Sequence, residues 1–554
     1  MTQSRCAGSR RYFQVVIGSL TLAGPAVAQS PGPHPYRPGI DVVDYAITLD
    51  LPDRGAAIQG RAVLAVRRSA AVDTLVLDLV SLRVDSVLVD DRAAVFARTD
   101  SLLRVPIGTV VGDSFSVTVR YSGEPTDGLI IRTDSAGRWT AFGDNWPNRA
   151  RNWIPSVDHP SDKATVTWTV RAPSERRVVA NGDLVEETPL AARSGGLPRT
   201  LTRWREDRPI APYLMVIAAA PLVYFDLGRD GCGVGEFGSC VRQSVYVFPE
   251  SRDFLPGPFA HSPEIVRLFS ELVAPFPYEK LAHLQSSTRY GGMENAGAIF
   301  YADAPFRAGG MREETIAHET AHQWFGDAVT ERDWPHLWLS EGFATYFAAL
   351  WTRAARGESA FRAQMADIRR TILADSISVT KRPVIDTIET NLFALLNRNS
   401  YEKGGFVLHM LRNEIGDRAF FDALRAYYAA HKHATATTDD LRAAMEREAK
   451  RPMIWFFDQW LRRPGFPSVT AEWSYDGGAK EVAITVSQGS AFGNFQFPLT
   501  VAVIDSAGGQ HRATLTMPAT GAVGTLRVPL ATAPANVVLD PDVDLLAQLQ
   551  VIRR

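Results

Sequence analysis

The chain is predicted to be a multidomain α and β protein: a β-rich part over residues 29–250, a mainly helical part over 251–466 and a β-sandwich over 467–554. Three observations carry this expectation. Apolar residues recur at every second position through the first part, at helical spacing through the second, and at every second position again after Pro464-Gly465-Phe466-Pro467.

The alternation is plain at Tyr45, Ile47, Leu49 and Leu51, at Leu75, Leu77 and Leu79, at Phe115, Val117, Val119 and Tyr121, and at Val166, Trp168 and Val170. Polar partners fall between them, as in strands with one face buried. The rhythm changes at Ser262-Pro263-Glu264, where Ser262 is read as an N-cap and Pro263 as the first helical residue. Ile265, Leu268, Phe269 and Leu272 then share one helical face. Near the C-terminus Val482, Ile484 and Val486 alternate, and Ser506-Ala507-Gly508-Gly509 signals a turn.

Composition excludes several classes. With 554 residues, 45% hydrophobic and 22% charged, the chain can bury several cores and resembles neither disordered nor fibrous sequences. A net charge of −2 without a basic patch gives no reason to expect nucleic acid. No apolar run reaches the roughly twenty residues a membrane-spanning helix needs, so no membrane span is expected. Residues 1–28 read as a signal peptide: Arg10 and Arg11 precede an apolar stretch that ends in the small-residue site Ala26-Val27-Ala28. Cleavage near Ala28 would export the protein to the periplasm or the medium, and the arginine pair resembles the twin-arginine signal. In that compartment Cys232 and Cys240 are expected to form a disulfide across a glycine-rich loop.

The chemistry concentrates at His318-Glu319-Thr320-Ala321-His322, followed after eighteen residues by Glu341. Residues four apart on a helix share a face, so His318 and His322 can hold one ion. Two histidines and a glutamate form a known catalytic zinc set with one position left for water. Glu319 is then the base, and the expected cofactor is one Zn²⁺ per chain. The apolar flanks Ile316, Ala317, Trp324 and Phe325 argue that this helix is buried rather than a surface helix with two solvated histidines. Glu341 opens a second apolar helix, where Ser340 is read as a cap.

Two further motifs are ambiguous as residues alone. Tyr290-Gly291-Gly292-Met293-Glu294-Asn295-Ala296-Gly297 combines backbone freedom with one acid, which could hold a protonated amine or simply be solvated at a turn. Ser400-Tyr401-Glu402-Lys403-Gly404 places a phenol at a helix start, yet composition does not single out Tyr401 among fifteen tyrosines.

Together these motifs resemble peptidase family M1, the zinc aminopeptidases. Gly291 to Asn295 is similar to the family's exopeptidase motif, His318, Glu319, His322 and Glu341 to its zinc motif, and Tyr401-Glu402-Lys403-Gly404 to its transition-state tyrosine. The resemblance implies a β saddle, a thermolysin-like mainly α catalytic domain and a C-terminal β-sandwich. It implies that Glu319 and Tyr401 are catalytic, and that Glu294 binds the free N-terminus of a peptide. Gly291, Gly292, Met293 and Asn295 would line the substrate. Larger members carry a fourth, helical domain, for which the 88 residues after 466 leave no room, so a more open cleft is expected. Many members place a β-saddle glutamine near the substrate's first side chain; here the stretch reads Phe142-Gly143-Asp144-Asn145-Trp146, and Asn145 is expected to stand in. If Asp144 points inward instead, basic first residues are favoured. The implied function is removal of N-terminal residues from peptides; the alternatives are a thermolysin-like endopeptidase and a non-catalytic secreted peptide-binding protein.

Overall fold

A computed structural model describes residues 36–554 except 70–71, 109, 111, 192–195 and 229–239. Residues 1–28, where a leader is expected, and Cys232 of the expected disulfide lie outside the described residues.

The N-terminal part is built on an eight-stranded sheet. Its order runs Asp183–Leu190, Arg199–Ile210, Ala164–Pro173, Ile40–Asp50, Ile58–Arg68, Ser114–Gly123, Arg83–Val89 and Arg92–Ala93. A four-stranded sheet packs beside it, in the order Arg177–Ala180, Ile217–Ala220, Trp139–Gly143, Leu129–Thr133. The alternating residues face the core as expected: Tyr45, Leu49, Val166, Trp168 and Val170 are all fully buried. Trp168 stacks on Trp153 with ring centroids 5.4 Å apart.

Next comes a five-stranded sheet in the order Val223–Gly228, Arg242–Val247, Lys280–Ser286, Ala298–Ala302, Gly292–Met293. Arg242–Val247 pairs in parallel with Lys280–Ser286. Residue 250 falls in the 3-10 turn Pro249–Phe254, on the connection between these two paired strands. Helices follow from Ser262–Leu272 to Ile454–Leu461. The helix does begin at Ser262, but Ser262 is not its cap. Its hydroxyl turns into the core, donating to Gln243 Oε1 at 2.7 Å and lying 2.8 Å from His283 Nε2.

After residue 466 two small sheets face each other. One has the order Val523–Pro529, Glu481–Gln488, Ser468–Asp476, Gln548–Arg553; the other Gln510–Met517, Phe497–Ile504, Asn536–Leu539. Among the described residues, no helix is long and apolar enough to cross a membrane.

Candidate active site

The helix Glu313–His322 carries His318 and His322 on one face, and the helix Trp338–Arg356 presents Glu341 from its first turn. Their three donor atoms converge. The two Nε2 atoms are 3.1 Å apart, His318 Nε2 is 3.3 Å from Glu341 Oε2, and His322 Nε2 is 3.4 Å from the same oxygen. Ligands about 2.0–2.2 Å from a tetrahedral zinc lie about 3.3–3.5 Å from one another, so the triangle fits that ion. Two imidazole nitrogens this close also repel unless a cation or proton lies between them. His322 Nδ1 faces the Phe325 carbonyl at 3.2 Å, an acceptor only, so a neutral ring carries its hydrogen on Nδ1 and leaves the Nε2 lone pair free for a metal.

Ser340 is a second correction. It sits inside the helix rather than at its cap, and its hydroxyl lies 3.0 Å from His322 Nδ1. It thus holds the ring of a candidate metal ligand instead of a helix end.

Glu319 projects from the same helix and is 6% exposed. Burial pushes its carboxyl well above the ordinary carboxylate range; the neighbouring charges of Glu294 and Glu341 push the same way, against His322. Its carboxylate lies against the strand Gly292–Met293: a Cβ on Gly292 would stand 2.1 Å from Glu319 Oε1. Only glycine leaves room there. Gly291, one residue earlier, has open space at the same point.

Tyr401 lies in a single π-helical turn, Asn399–Lys403, that leads into the helix Gly404–Ile415. That helix touches the Glu341 helix backbone to backbone, since a Cβ on Gly342 would stand 2.9 Å from the Gly404 carbonyl carbon. The close approach lets the Tyr401 hydroxyl donate to Glu341 Oε1 at 2.8 Å, while its ring stacks on His318.

Glu294 follows Met293 and is 6% exposed. Oxygens of Glu294 and Glu319 and a nitrogen of His322 lie within 4.8 Å of one another. Burial raises the Glu294 carboxyl to about 7, with Glu341 and Asp144 adding to the shift and His322 opposing it. Met293 is buried and pairs with Phe300 across the sheet, and Asn295 is buried with its carbonyl accepting from the Ala298 amide at 2.8 Å.

The structure does not bring Asn145 to this cluster as a binding group. Its Nδ2 donates to the Met215 carbonyl at 2.7 Å and the Pro212 carbonyl at 3.4 Å, and its Oδ1 accepts from Trp153 Nε1 at 2.8 Å. Every polar atom of the amide is spent on the β domain's own packing. Asp144 is buried and paired with Arg149 at 2.8 Å, so its charge is already compensated.

Gln323 was not singled out in the sequence, yet it ties the site together. Its Nε2 donates to the Glu294 carbonyl at 2.7 Å and to Asp327 Oδ2 at 2.8 Å, and its Oε1 accepts from the Gly297 amide at 2.8 Å. The signal was a lone polar amide between His322 and the apolar pair Trp324-Phe325, a position that demands buried partners.

Comparison with known proteins agrees with this geometry. The peptidase family M1 domain model matches residues 261–460, and the peptidase M1 N-terminal domain model matches residues 42–214. Aminopeptidase M1-D of Oryza sativa subsp. japonica is 27% identical over 459 residues, which is 76% of this chain and 49% of that protein. Glutamyl aminopeptidase of Homo sapiens is 28% identical over 58% of this chain and 34% of its own length. The chain spans about half the length, or less, of such relatives. Among solved structures, the M1 zinc metallopeptidase of Deinococcus radiodurans is 26% identical with a TM-score of 0.63, over 74% of this chain and 90% of that one. Aminopeptidase A of Legionella pneumophila shares the fold, with a TM-score of 0.79 at 18% identity over 92% of this chain and 60% of that one. With both domain models matched over the β saddle and the metal-binding helices, this chain belongs to peptidase family M1.

Proposed function

We propose that the protein is a zinc aminopeptidase that removes single residues from peptides with a free N-terminus. One observation carries the reading: a buried carboxylate, Glu294, stands beside the base and a metal ligand, where an exopeptidase needs an anchor for the terminal ammonium. An endopeptidase has no use for it.

His318, His322 and Glu341 would hold the zinc, whose Lewis acidity would lower the pKa of a bound water toward about 7. The chain's own residues supply the rest. Glu319 accepts the proton of the attacking water, helped by burial that raises its basicity, and returns it to the leaving amine. Tyr401 moves its hydroxyl from Glu341 Oε1 toward the oxygen on which negative charge develops. Glu294 holds the ammonium, and a charge-assisted contact of this kind contributes about 1.5–3 kcal/mol. Gly291, Gly292, Met293 and Asn295 shape the strand edge along which the substrate backbone lies. Because Asp144 is neutralised by Arg149 and Asn145 is engaged elsewhere, neither sets the preference for the first side chain. An N-acetylated peptide tests the reading: turnover of blocked and free peptides at similar rates refutes it.

We also infer export, from the leader at residues 1–28, with Cys232 and Cys240 oxidised to a disulfide in that compartment. Replacing Arg10 and Arg11 with lysine blocks export if the twin-arginine route is used; undiminished secretion refutes that route. Failure of iodoacetamide to label the mature protein until it is reduced supports the bridge, and labelling without reduction contradicts it.

A further inference from the structure

Every metal ligand comes from the helical domain, yet side chains of the β domain reach the loop that follows the ligand helix: the Tyr213 hydroxyl donates to the Gly326 carbonyl at 3.2 Å, and Lys163 takes hold of the residues just after it. Lys163 immediately precedes the strand Ala164–Pro173 of the eight-stranded sheet. Its Nζ lies 2.8 Å from the Asp327 carbonyl, 2.9 Å from the Ala328 carbonyl, 2.9 Å from Thr330 Oγ1 and 3.3 Å from the Ala434 carbonyl. Three ammonium hydrogens thus face four acceptors, and none of its donors is left over.

The peptide groups that face Lys163 on one side hold the metal-ligand helix on the other. The Asp327–Ala328 peptide offers its carbonyl to Lys163 and its N–H to the Gln323 carbonyl at 3.2 Å. The next peptide offers the Ala328 carbonyl to Lys163 and the Val329 N–H to the Trp324 carbonyl at 3.1 Å. The Asp327 N–H closes on the His322 carbonyl itself at 3.0 Å. A cation at this point also suits the negative end of a helix, and hydrogen bonds arranged in series polarise one another. Ala434 lies directly across from Val329 in the two-stranded sheet, so the same ammonium fastens both strands.

We propose that Lys163 is a positioning residue for the metal centre: by clamping residues 327–330 it fixes the last turn of the helix that carries His322 and, through Gln323, the backbone of Glu294 just after the strand Gly292–Met293. The β domain is then part of the metal site without contributing a ligand. This rests on the assignment of His318, His322 and Glu341 as the zinc ligands.

The test uses the full chain loaded with zinc and measures zinc release into excess EDTA with a metallochromic indicator, well below the unfolding temperature. Lys163→Met should release zinc roughly tenfold faster than wild type, the low end of what partners behind the ligands cost. Lys163→Arg should recover part of that loss. Release from folded Lys163→Met within twofold of wild type overturns the proposal, even if its unfolding midpoint drops, because that is what a merely structural lysine would do. If Lys163→Met does not fold, Thr330→Val removes the hydroxyl that links Lys163 to the Asp327 carbonyl, accepting from the one at 2.9 Å and donating to the other at 3.0 Å, and leaves the charge; it should at least double the release rate, and an unchanged rate overturns the proposal. A wild-type protein that retains no zinc overturns the ligand assignment, and the proposal with it.

Discussion

Substituting Gly292 by alanine places a methyl group where the Glu319 carboxylate now lies. The added Cβ would stand 2.1 Å from Oε1, 2.3 Å from Cδ and 2.6 Å from Cγ of Glu319. Ordinary contact begins near 3.4 Å, so the carboxylate or the strand must yield by more than 1 Å. The strand Gly292–Met293 is held by its pairing with Ala298–Ala302, and the buried base is the softer of the two. A misplacement of about 1 Å in a catalytic group costs on the order of a hundredfold in rate. Gly292→Ala should therefore lower kcat on an aminoacyl fluorogenic substrate by about that factor, with zinc content unchanged by metal analysis. Gly291→Ala is the control, since nothing lies within 4 Å of its added Cβ. A Gly292→Ala enzyme within threefold of wild type, or a Gly291→Ala enzyme equally damaged, would refute the reasoning.

Glu319→Gln should keep zinc and lose about 10²–10⁴-fold in kcat, measured against metal stoichiometry; an unaffected rate overturns its role as base. Tyr401→Phe removes the hydroxyl that donates to Glu341 Oε1 and should lower kcat by about 10²–10³-fold with little change in KM, as expected of a group that acts on the developing oxyanion. Ser340→Ala removes the contact to His322 Nδ1 and should weaken zinc binding by about tenfold, read by competition with a chelator. Zinc binding should also release a proton at pH 7. Burial disfavours a charged His322, but the Glu341 carboxylate overrides it and holds the metal-free ring well above its ordinary pKa, so the metal must displace that proton. Calorimetry in buffers of different ionisation enthalpy reads this directly, and a buffer-independent heat would contradict it.

What could be read in advance divides along physical lines. Strands with one solvated face announce themselves by alternation, and Tyr45 to Leu51 or Val482 to Val486 appear in the structure as they do in the sequence. Lys280–Ser286 is covered on both faces and has no alternation to read. Its polar residues find partners on neighbouring segments inside the core, as where Lys280 Nζ donates to the carbonyls of Ala180 and Gly297. The sheet it centres, with strands on both sides of residue 250, was therefore not legible. The metal triangle was legible because two ligands are one helical turn apart and the third opens the next long helix. Ser262 and Ser340 were read as caps, the local use of serine, while the structure spends both on tertiary partners. Asn145 was assigned to substrate by position, and its amide is consumed by the β domain. Contacts such as Lys163 to Asp327 join residues far apart in the chain, and no local pattern encodes them.

The most direct test of the account is to incubate the zinc-loaded protein with one peptide in free and N-acetylated form and follow the products by mass spectrometry. The free peptide should shorten one residue at a time from its N-terminus and the acetylated peptide should survive, because Glu294 then has no ammonium to hold. Internal cleavage, or equal consumption of both peptides, would contradict it.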